Sequence, residues 1–183
     1  MERRDGHCRI LVTGNAGSGK STLAAEIGRA LDLPVFGLDR IVWGPGWTET
    51  PREVVRERMA DLTRRPRWVI DGVSRMAEAA ADLVVFLDVS PAVCTWRCAK
   101  RNWRYLLRSR PDLPEDCPEW AVIPRLLKII WVHFPAARPR MIEQVASPET
   151  RARWRHVRTR RDRAEVVGLL ELSRPNDSLR ARP

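Results

Sequence analysis

Cys8-Arg9-Ile10-Leu11-Val12-Thr13-Gly14-Asn15-Ala16-Gly17-Ser18-Gly19-Lys20-Ser21-Thr22 is the stretch that decides the fold. Ile10 to Thr13 is an apolar, β-branched run and reads as a buried first strand beginning at Cys8. From Gly14 to Ser21 the sequence fits G-x-x-x-x-G-K-[ST] at every fixed position. From Ser21 to Leu31 the spacing turns helical, with Leu23, Ile27 and Leu31 on one face. Strand, glycine-rich loop and helix form the context in which this pattern cradles phosphate. The glycines let backbone N–H groups turn inward around an anion, and the helix start adds its positive dipole end. Lys20 then suits the β- and γ-phosphates of ATP, and the Ser21 hydroxyl suits Mg²⁺. The expected nucleotide site is Gly14, Asn15, Ala16, Gly17, Ser18, Gly19, Lys20, Ser21 and Thr22, with ATP and Mg²⁺ as cofactors.

Outward from this loop, strands and helices alternate. Pro34 to Leu38 reads as a short second strand ending at Asp39. A turn-rich aromatic stretch follows, Trp43-Gly44-Pro45-Gly46-Trp47. Thr50-Pro51-Arg52-Glu53 predicts a helix running to about Arg64, with Thr50 as cap, Pro51 first in the helix and Glu53 completing a capping box. Trp68 to Ile70 is a third strand ending at Asp71-Gly72, and Leu83 to Leu87 a fourth ending at Asp88. Ser90-Pro91 opens a helix carrying Arg97, Lys100, Arg101 and Arg104. Arg108 to Pro118, rich in Pro and charge, reads as a mobile loop. Trp120 to Ile142 reads as mostly helical, interrupted near Pro135 and Pro139. Trp154 to Thr159 predicts a fifth strand, Asp162 to Leu172 a last helix, and residues 173–183 a loose tail. The alternation predicts one α/β domain over residues 1–172, a mostly parallel five-stranded sheet with helices on both faces. Ligands bind such sheets beyond the carboxyl ends of the strands. The glycine-rich loop, Asp39, Asp71 and Asp88 all fall at that edge.

The 183 residues suit a single compact domain, and 44% hydrophobic with 31% charged residues is ordinary for a globular chain. No apolar run approaches the roughly 18 residues of a membrane span, and no signal-type segment is present, which predicts a cytoplasmic protein without membrane partners. The formal net charge of +10 admits two readings: nucleic-acid contact through phosphates, or scattered arginines around a site for polyphosphate ligands. Cys8, Cys94, Cys98 and Cys117 contain no C-x-x-C pair, and the three histidines show no ligand spacing. Buried free thiols are expected rather than zinc.

Several side chains carry two readings each. Asp71 and Asp88 can each hold the Mg²⁺ water shell or stand as solvated strand-end carboxylates. Trp43 and Trp47 can stack on a planar acceptor or pack a lid against the core.

Asp71-Gly72-Val73-Ser74-Arg75 has the spacing of the Asp-Gly-Phe-Pro-Arg motif of nucleoside monophosphate kinases. In that family the Asp organises the metal and the Arg contacts substrate phosphate; Val73 and Ser74 depart from the pattern. The whole chain resembles adenylate-kinase-related P-loop proteins often labelled DNA topology modulation proteins. The resemblance lies in GNAGSGKST, LDRIVWGPGWTETP from Leu38, WVIDG from Trp68, Ala81-Asp82, VVFLD from Val84, RCAKR from Arg97 and RPDLPEDCPEW from Arg110, across about residues 8 to 172. The segment after Gly72 is shorter here than that family usually has.

The resemblance implies a P-loop NTPase fold of the nucleoside monophosphate kinase type, a three-layer sandwich with a small helical lid over about residues 104–120. It implies ATP-dependent phosphoryl transfer to a nucleotide or other small acceptor. By the same resemblance Asp39 sits where related kinases place an acceptor-binding or base residue, or else caps a turn. Arg97 and Arg101, one helical turn apart, match lid-base arginines that clamp phosphates bidentately, or else form a solvated face. The expected catalytic set is Lys20, Asp39, Asp71, Arg97 and Arg101. The expected acceptor set is Asp39, Trp43, Trp47 and Arg75, and the expected metal set Ser21 and Asp71. The competing class is a nucleotide-binding regulator that contacts nucleic acid.

Overall fold

The computed structural model describes residues 8–102, 119–150 and 153–172. The expected lid up to residue 118, the expected tail over 173–183 and Cys117 lie outside the described residues.

Five parallel strands make the central sheet: β1 (Cys8–Gly14), β2 (Val35–Gly37), β5 (Arg67–Asp71), β6 (Leu83–Leu87) and β7 (Trp154–Val157). Their spatial order is β2-β5-β1-β6-β7, so β1 is central. It runs beside β5 in the register Val12 to Asp71 and beside β6 in the register Gly14 to Leu87. Ile10, Leu11, Val12, Trp68, Val69, Ile70, Val84, Val85 and Phe86 are at most 1% exposed. This two-sided burial explains why these strands read as continuous apolar runs rather than alternating ones.

One face is covered by α1 (Lys20–Leu31) and α8 (Arg160–Leu172), which bury Leu23, Ile27 and Val166 against Ile10, Val12, Val85 and Val157. The other face is covered by α3 (Arg52–Arg64), α4 (Arg75–Ala80) and α7 (Phe134–Ala146), with Met59, Leu62, Ala77, Phe134 and Met141 packed on Leu11, Ile70, Val84 and Phe86. The result is the expected three-layer α/β sandwich. A third, small core forms beneath the glycine-rich loop, where Cys94 and Cys98 of α5 (Pro91–Asn102) meet Ile130 and Ala16.

Local structure departs from the sequence expectation at several points. Asp39 does not end a strand; β2 stops at Gly37, and Asp39 opens the one-turn helix α2 (Asp39–Val42). The aromatic stretch forms a hairpin of β3 (Trp43–Gly44) and β4 (Thr48–Glu49) around the 3₁₀ turn Pro45–Trp47, with Gly46 and Trp47 both at positive φ. Thr50 does not cap α3: its N–H is drawn to the Val42 carbonyl beside the hairpin, so the helix starts at Arg52 with Pro51 as its cap residue. The sequence reading passed over α4, a short helix capped by the Ser74 hydroxyl accepting from Ala77 N–H. Pro139 lies inside continuous α7. The interruption comes earlier, as a π-helical turn, Ile129–His133, between α6 (Ile123–Lys128) and α7. No helix among the described residues is long and apolar enough to cross a membrane.

Candidate active site

The glycine-rich loop leaves the centre of the sheet at Gly14 and returns as α1. Gly14 and Gly17 both take φ angles closed to ordinary side chains, at 146° and 77°. A Cβ at Gly14 would stand 2.5 Å from the Leu87 carbonyl oxygen, and one at Gly17 would stand 2.5 Å from the Cys94 carbonyl oxygen and 2.7 Å from Cys98 Sγ. The loop is thus pressed onto the end of β6 and onto α5, with room only for hydrogen.

Asn15 organises the loop from within. Its side chain is 1% exposed. Oδ1 accepts from Ala16 N–H at 2.8 Å, and Nδ2 donates to the Ile130 carbonyl at 3.2 Å. Its own carbonyl accepts from Ser18 N–H at 3.2 Å and from Lys20 Nζ at 3.0 Å. The Ser18 carbonyl in turn accepts from Arg97 Nη1 at 3.0 Å. One ammonium and one guanidinium therefore hold to successive parts of the loop backbone. Their charge reaches the core below: burial, assisted by Cys98, pushes the Cys94 thiol up to about 11, while Lys20 and Arg97 pull in the opposite direction. Cys94 and Cys98 are buried thiols at the foot of the loop. Among the described residues no His, Cys, Asp and Glu cluster has the make-up of a metal site.

Ser21 and Thr22 are exposed on the first turn of α1, and Asp71 ends β5 beside Val12, one strand from the loop. These donors fit the expected groups. Gly14 and Gly17 let the loop lie directly on β6 and α5, the buried Ser18 hydroxyl has no partner among the described residues, and a hydroxyl with a carboxylate at the end of the neighbouring strand is the hard-oxygen set Mg²⁺ prefers.

Asp88 does not share this position. Its carboxylate is 6% exposed and accepts from Arg138 Nε and Nη2, both at 2.7 Å, and it lies 3.0 Å from His156 Nε2. The His156 ring stacks on Phe86 at 5.3 Å between centroids. Arg138 holds the carboxyl below its ordinary range, with His156 adding to the effect. Of its two readings, neither solvation nor metal holding describes this carboxylate; it is the anchor of α7 on the sheet.

The remaining expected residues spread around the edge. Arg101 turns back on its own helix, with Nε donating to Asn102 Oδ1 at 3.2 Å, and does not join Arg97 at the loop. Asp39 is exposed at the start of α2. Trp43 and Trp47 meet edge to face at 5.4 Å, and the Arg125 guanidinium lies 4.3 Å over the Trp43 ring while pairing with Glu49 at 2.7 Å. Arg75 lines a cleft of about 360 Å³ between α4 and α7, with Glu78, Arg140, Gln144 and Arg153. There Arg140 pairs with Glu78, and Arg153 donates to the Ala81 carbonyl at 2.6 Å, closing the end of α4.

Sequence reasoning missed Arg138, Arg125 and Arg163. The last pairs with Glu26 at 2.7 Å and lies 3.7 Å from where a Gly19 Cβ would stand. None carries a local signal, since each acts across elements far apart in the chain.

No protein-family model matches this sequence, and no curated protein does. Among solved structures, a putative kinase from Chloroflexus aurantiacus superposes with a TM-score of 0.53 at 16% identity, covering 92% of this chain and 98% of its own. A shikimate kinase from Aquifex aeolicus gives 0.47 at 21% identity over 90% and 94% of the two chains. A gluconokinase from Sinorhizobium meliloti gives 0.47 at 19% over 98% and 100%. The chain therefore shares the α/β fold of the Chloroflexus structure.

Proposed function

We propose that the chain is an ATP-dependent phosphotransferase that moves the γ-phosphoryl group to a small acceptor. The observation that carries this reading is the loop itself: a strand-borne glycine cradle with Lys20 on the Asn15 carbonyl and Arg97 on the Ser18 carbonyl. Phosphoryl transfer asks little covalent chemistry of a protein and much positioning and charge. Backbone N–H groups of the loop and the start of α1 bind the phosphates. Lys20 and Arg97 exchange their loop carbonyls for phosphate oxygens. Ser21, and through water Asp71, would hold Mg²⁺, whose positive charge would offset that of the phosphates. Asp39 orients the acceptor hydroxyl or takes its proton, and Trp43, Trp47 and Arg75 border the acceptor, a reading supported by their positions in the chain, Asp39 and the hairpin following β2 and Arg75 following β5. Similarity to kinases in fold supports this reading.

The test is ADP release from Mg·ATP by the full chain against a panel of nucleoside monophosphates, sugar acids and hydroxylated ring acids. Acceptor-dependent release that disappears in Lys20→Ala is the expected outcome. Release unchanged by every acceptor, together with salt-dependent retention on DNA, would give the chain to the regulator class instead.

A further inference from the structure

The π-helical turn Ile129–His133 leaves one carbonyl for the phosphate loop. In this turn Phe134 N–H is directed to the Ile129 carbonyl, the i→i+5 bond of a π-helix. The next such donor, for the Ile130 carbonyl, would be residue 135, which is proline and has no N–H. The Ile130 carbonyl is thereby left without an intrahelical donor in a buried place, where an unmade hydrogen bond is costly. Asn15 Nδ2 supplies the bond, at 3.2 Å, from a side chain that is itself 1% exposed.

The run from α6 through the π turn to α7 touches three parts of the edge. Arg125 stacks on Trp43 and pairs with Glu49 of the hairpin, Ile130 meets the loop, and Arg138 grips Asp88 at the end of β6. The loop holds this run by the Asn15 amide and by the packing of Ala16 on the same small core as Ile130, and the Asn15 carbonyl carries Lys20 Nζ. We infer that Asn15 is a positioning residue: its amide sets the register of the phosphate loop on the π turn, and through Arg125 links nucleotide occupancy to the Trp43–Trp47 hairpin. When Lys20 leaves the Asn15 carbonyl for a phosphate, the Asn15 peptide loses a cationic donor, and the amide passes that change to the Ile130 carbonyl and its helix. The nucleotide part of this inference rests on the phosphotransferase reading; the Asn15–Ile130 tie does not.

Hydrogen exchange on the full chain, with and without Mg²⁺ and a non-hydrolysable ATP analogue, separates the two. In the nucleotide-free protein, Asn15→Asp keeps the acceptor for Ala16 N–H but sets a carboxylate oxygen against the Ile130 carbonyl. Exchange across residues 129–136 should rise about tenfold there. In wild type, saturating analogue should change protection at 14–21, at 129–136 and at 43–49. In Asn15→Asp, at saturation, the response should stop at 14–21. Pro135→Ala, which favours regular helix and returns a donor to residue 135, should show the same confinement with the loop sequence intact. Unchanged exchange at 129–136 in nucleotide-free Asn15→Asp, or a hairpin response that survives saturation in both variants, would overturn the inference. Should Asn15→Asp not fold, Pro135→Ala alone decides, a surviving hairpin response counting against. A wild-type chain that binds no analogue would instead overturn the phosphotransferase reading and the nucleotide link, leaving the tie to stand or fall on the nucleotide-free comparison.

Discussion

Arg138 grips Asp88 through two parallel N–H···O bonds of 2.7 Å, binding the middle of α7 to the carboxyl end of β6. The carboxylate is 6% exposed and the guanidinium 47%. Breaking a fully buried pair costs about 3–5 kcal/mol because a charge is left behind; with Arg138 half-exposed, about 2–3 kcal/mol is the fitting figure. Arg138→Ala should therefore lower Tm by roughly 5–10 °C for a chain of this size. Thermal unfolding checks this, and an unchanged Tm would mean that His156 alone satisfies the carboxylate.

Asp88 and Asp162 are both held below the ordinary carboxylate range, for different reasons, and both shape acid stability. Asp88 is held down by Arg138. Asp162 is held at about 2 by the N–H groups of Arg158 and Thr159 and the Thr159 hydroxyl, while Thr159 Oγ1 accepts from Asp162 N–H, a reciprocal cap on α8. A depressed folded pKa gives stability that is complete above the unfolded value, about 3.9, and is lost as pH falls through the folded value. Unfolding free energy should thus fall between about pH 4 and pH 2. Asp162→Asn should flatten part of that fall, as urea titrations at pH 2.5, 4 and 7 would reveal. Parallel profiles for variant and wild type would refute the assignment.

Asp71 and Asp88 look alike in the sequence, each ending an apolar strand, and the fold separates them. Asp71→Asn should reduce Mg²⁺-dependent turnover at least tenfold while nucleotide affinity stays within a fewfold, because in the proposed reaction the loop backbone holds the phosphates. Asp88→Asn should act mainly on stability. Steady-state kinetics across a Mg²⁺ titration, paired with melting curves, would separate the two. A larger kinetic loss in Asp88→Asn would reverse the ordering.

The five strands of the parallel sheet, the glycine-rich loop and the alternation that builds the sheet can be read from the chain, because a buried parallel strand must be an apolar run and the loop pattern is contiguous, whereas the β3–β4 hairpin cannot. What escaped reading is what depends on contacts between distant segments. Nothing near Arg138 in the sequence names Asp88, fifty residues earlier, as its partner. Asp39 looked like a strand end because β2 is only three residues long and α2 follows after a single residue. Thr50 and Glu53 fit a capping box by spacing, but the hairpin claims the Thr50 N–H first. Pro135 reads in the sequence as a helix interruption; the carbonyl it leaves at Ile130 becomes meaningful only once Asn15 is beside it.

Lys20 Nζ rests 3.0 Å from the Asn15 carbonyl and belongs to none of the three cores. Lys20→Ala should leave the melting temperature within about 2 °C, since partly exposed polar substitutions cost little. Hydrogen bonds to charged groups contribute about 1.5–3 kcal/mol, so affinity for Mg·ATP should fall about 10- to 100-fold. Calorimetric titration checks both halves of the prediction. Wild-type affinity would remove the lysine from the phosphate site.

Gly17 makes the most stringent demand in the loop. Its φ of 77° costs an ordinary residue about 1–2 kcal/mol before any contact is considered. A methyl group there would also press on two atoms of α5: the Cys98 sulfur at 2.7 Å, which a side-chain shift relieves, and the Cys94 carbonyl oxygen at 2.5 Å, which only movement of the helix relieves. Gly17→Ala should consequently lift the loop from α5, pull the Ser18 carbonyl away from Arg97, and weaken Mg·ATP binding at least tenfold while the sheet stays folded. The double variant Gly17→Ala/Cys98→Ala discriminates between the two contacts. It frees the space around the sulfur and leaves the backbone oxygen in place, so affinity should stay low. Recovery of wild-type affinity in the double variant would show that the thiol, and not the helix backbone, sets the floor of the phosphate loop.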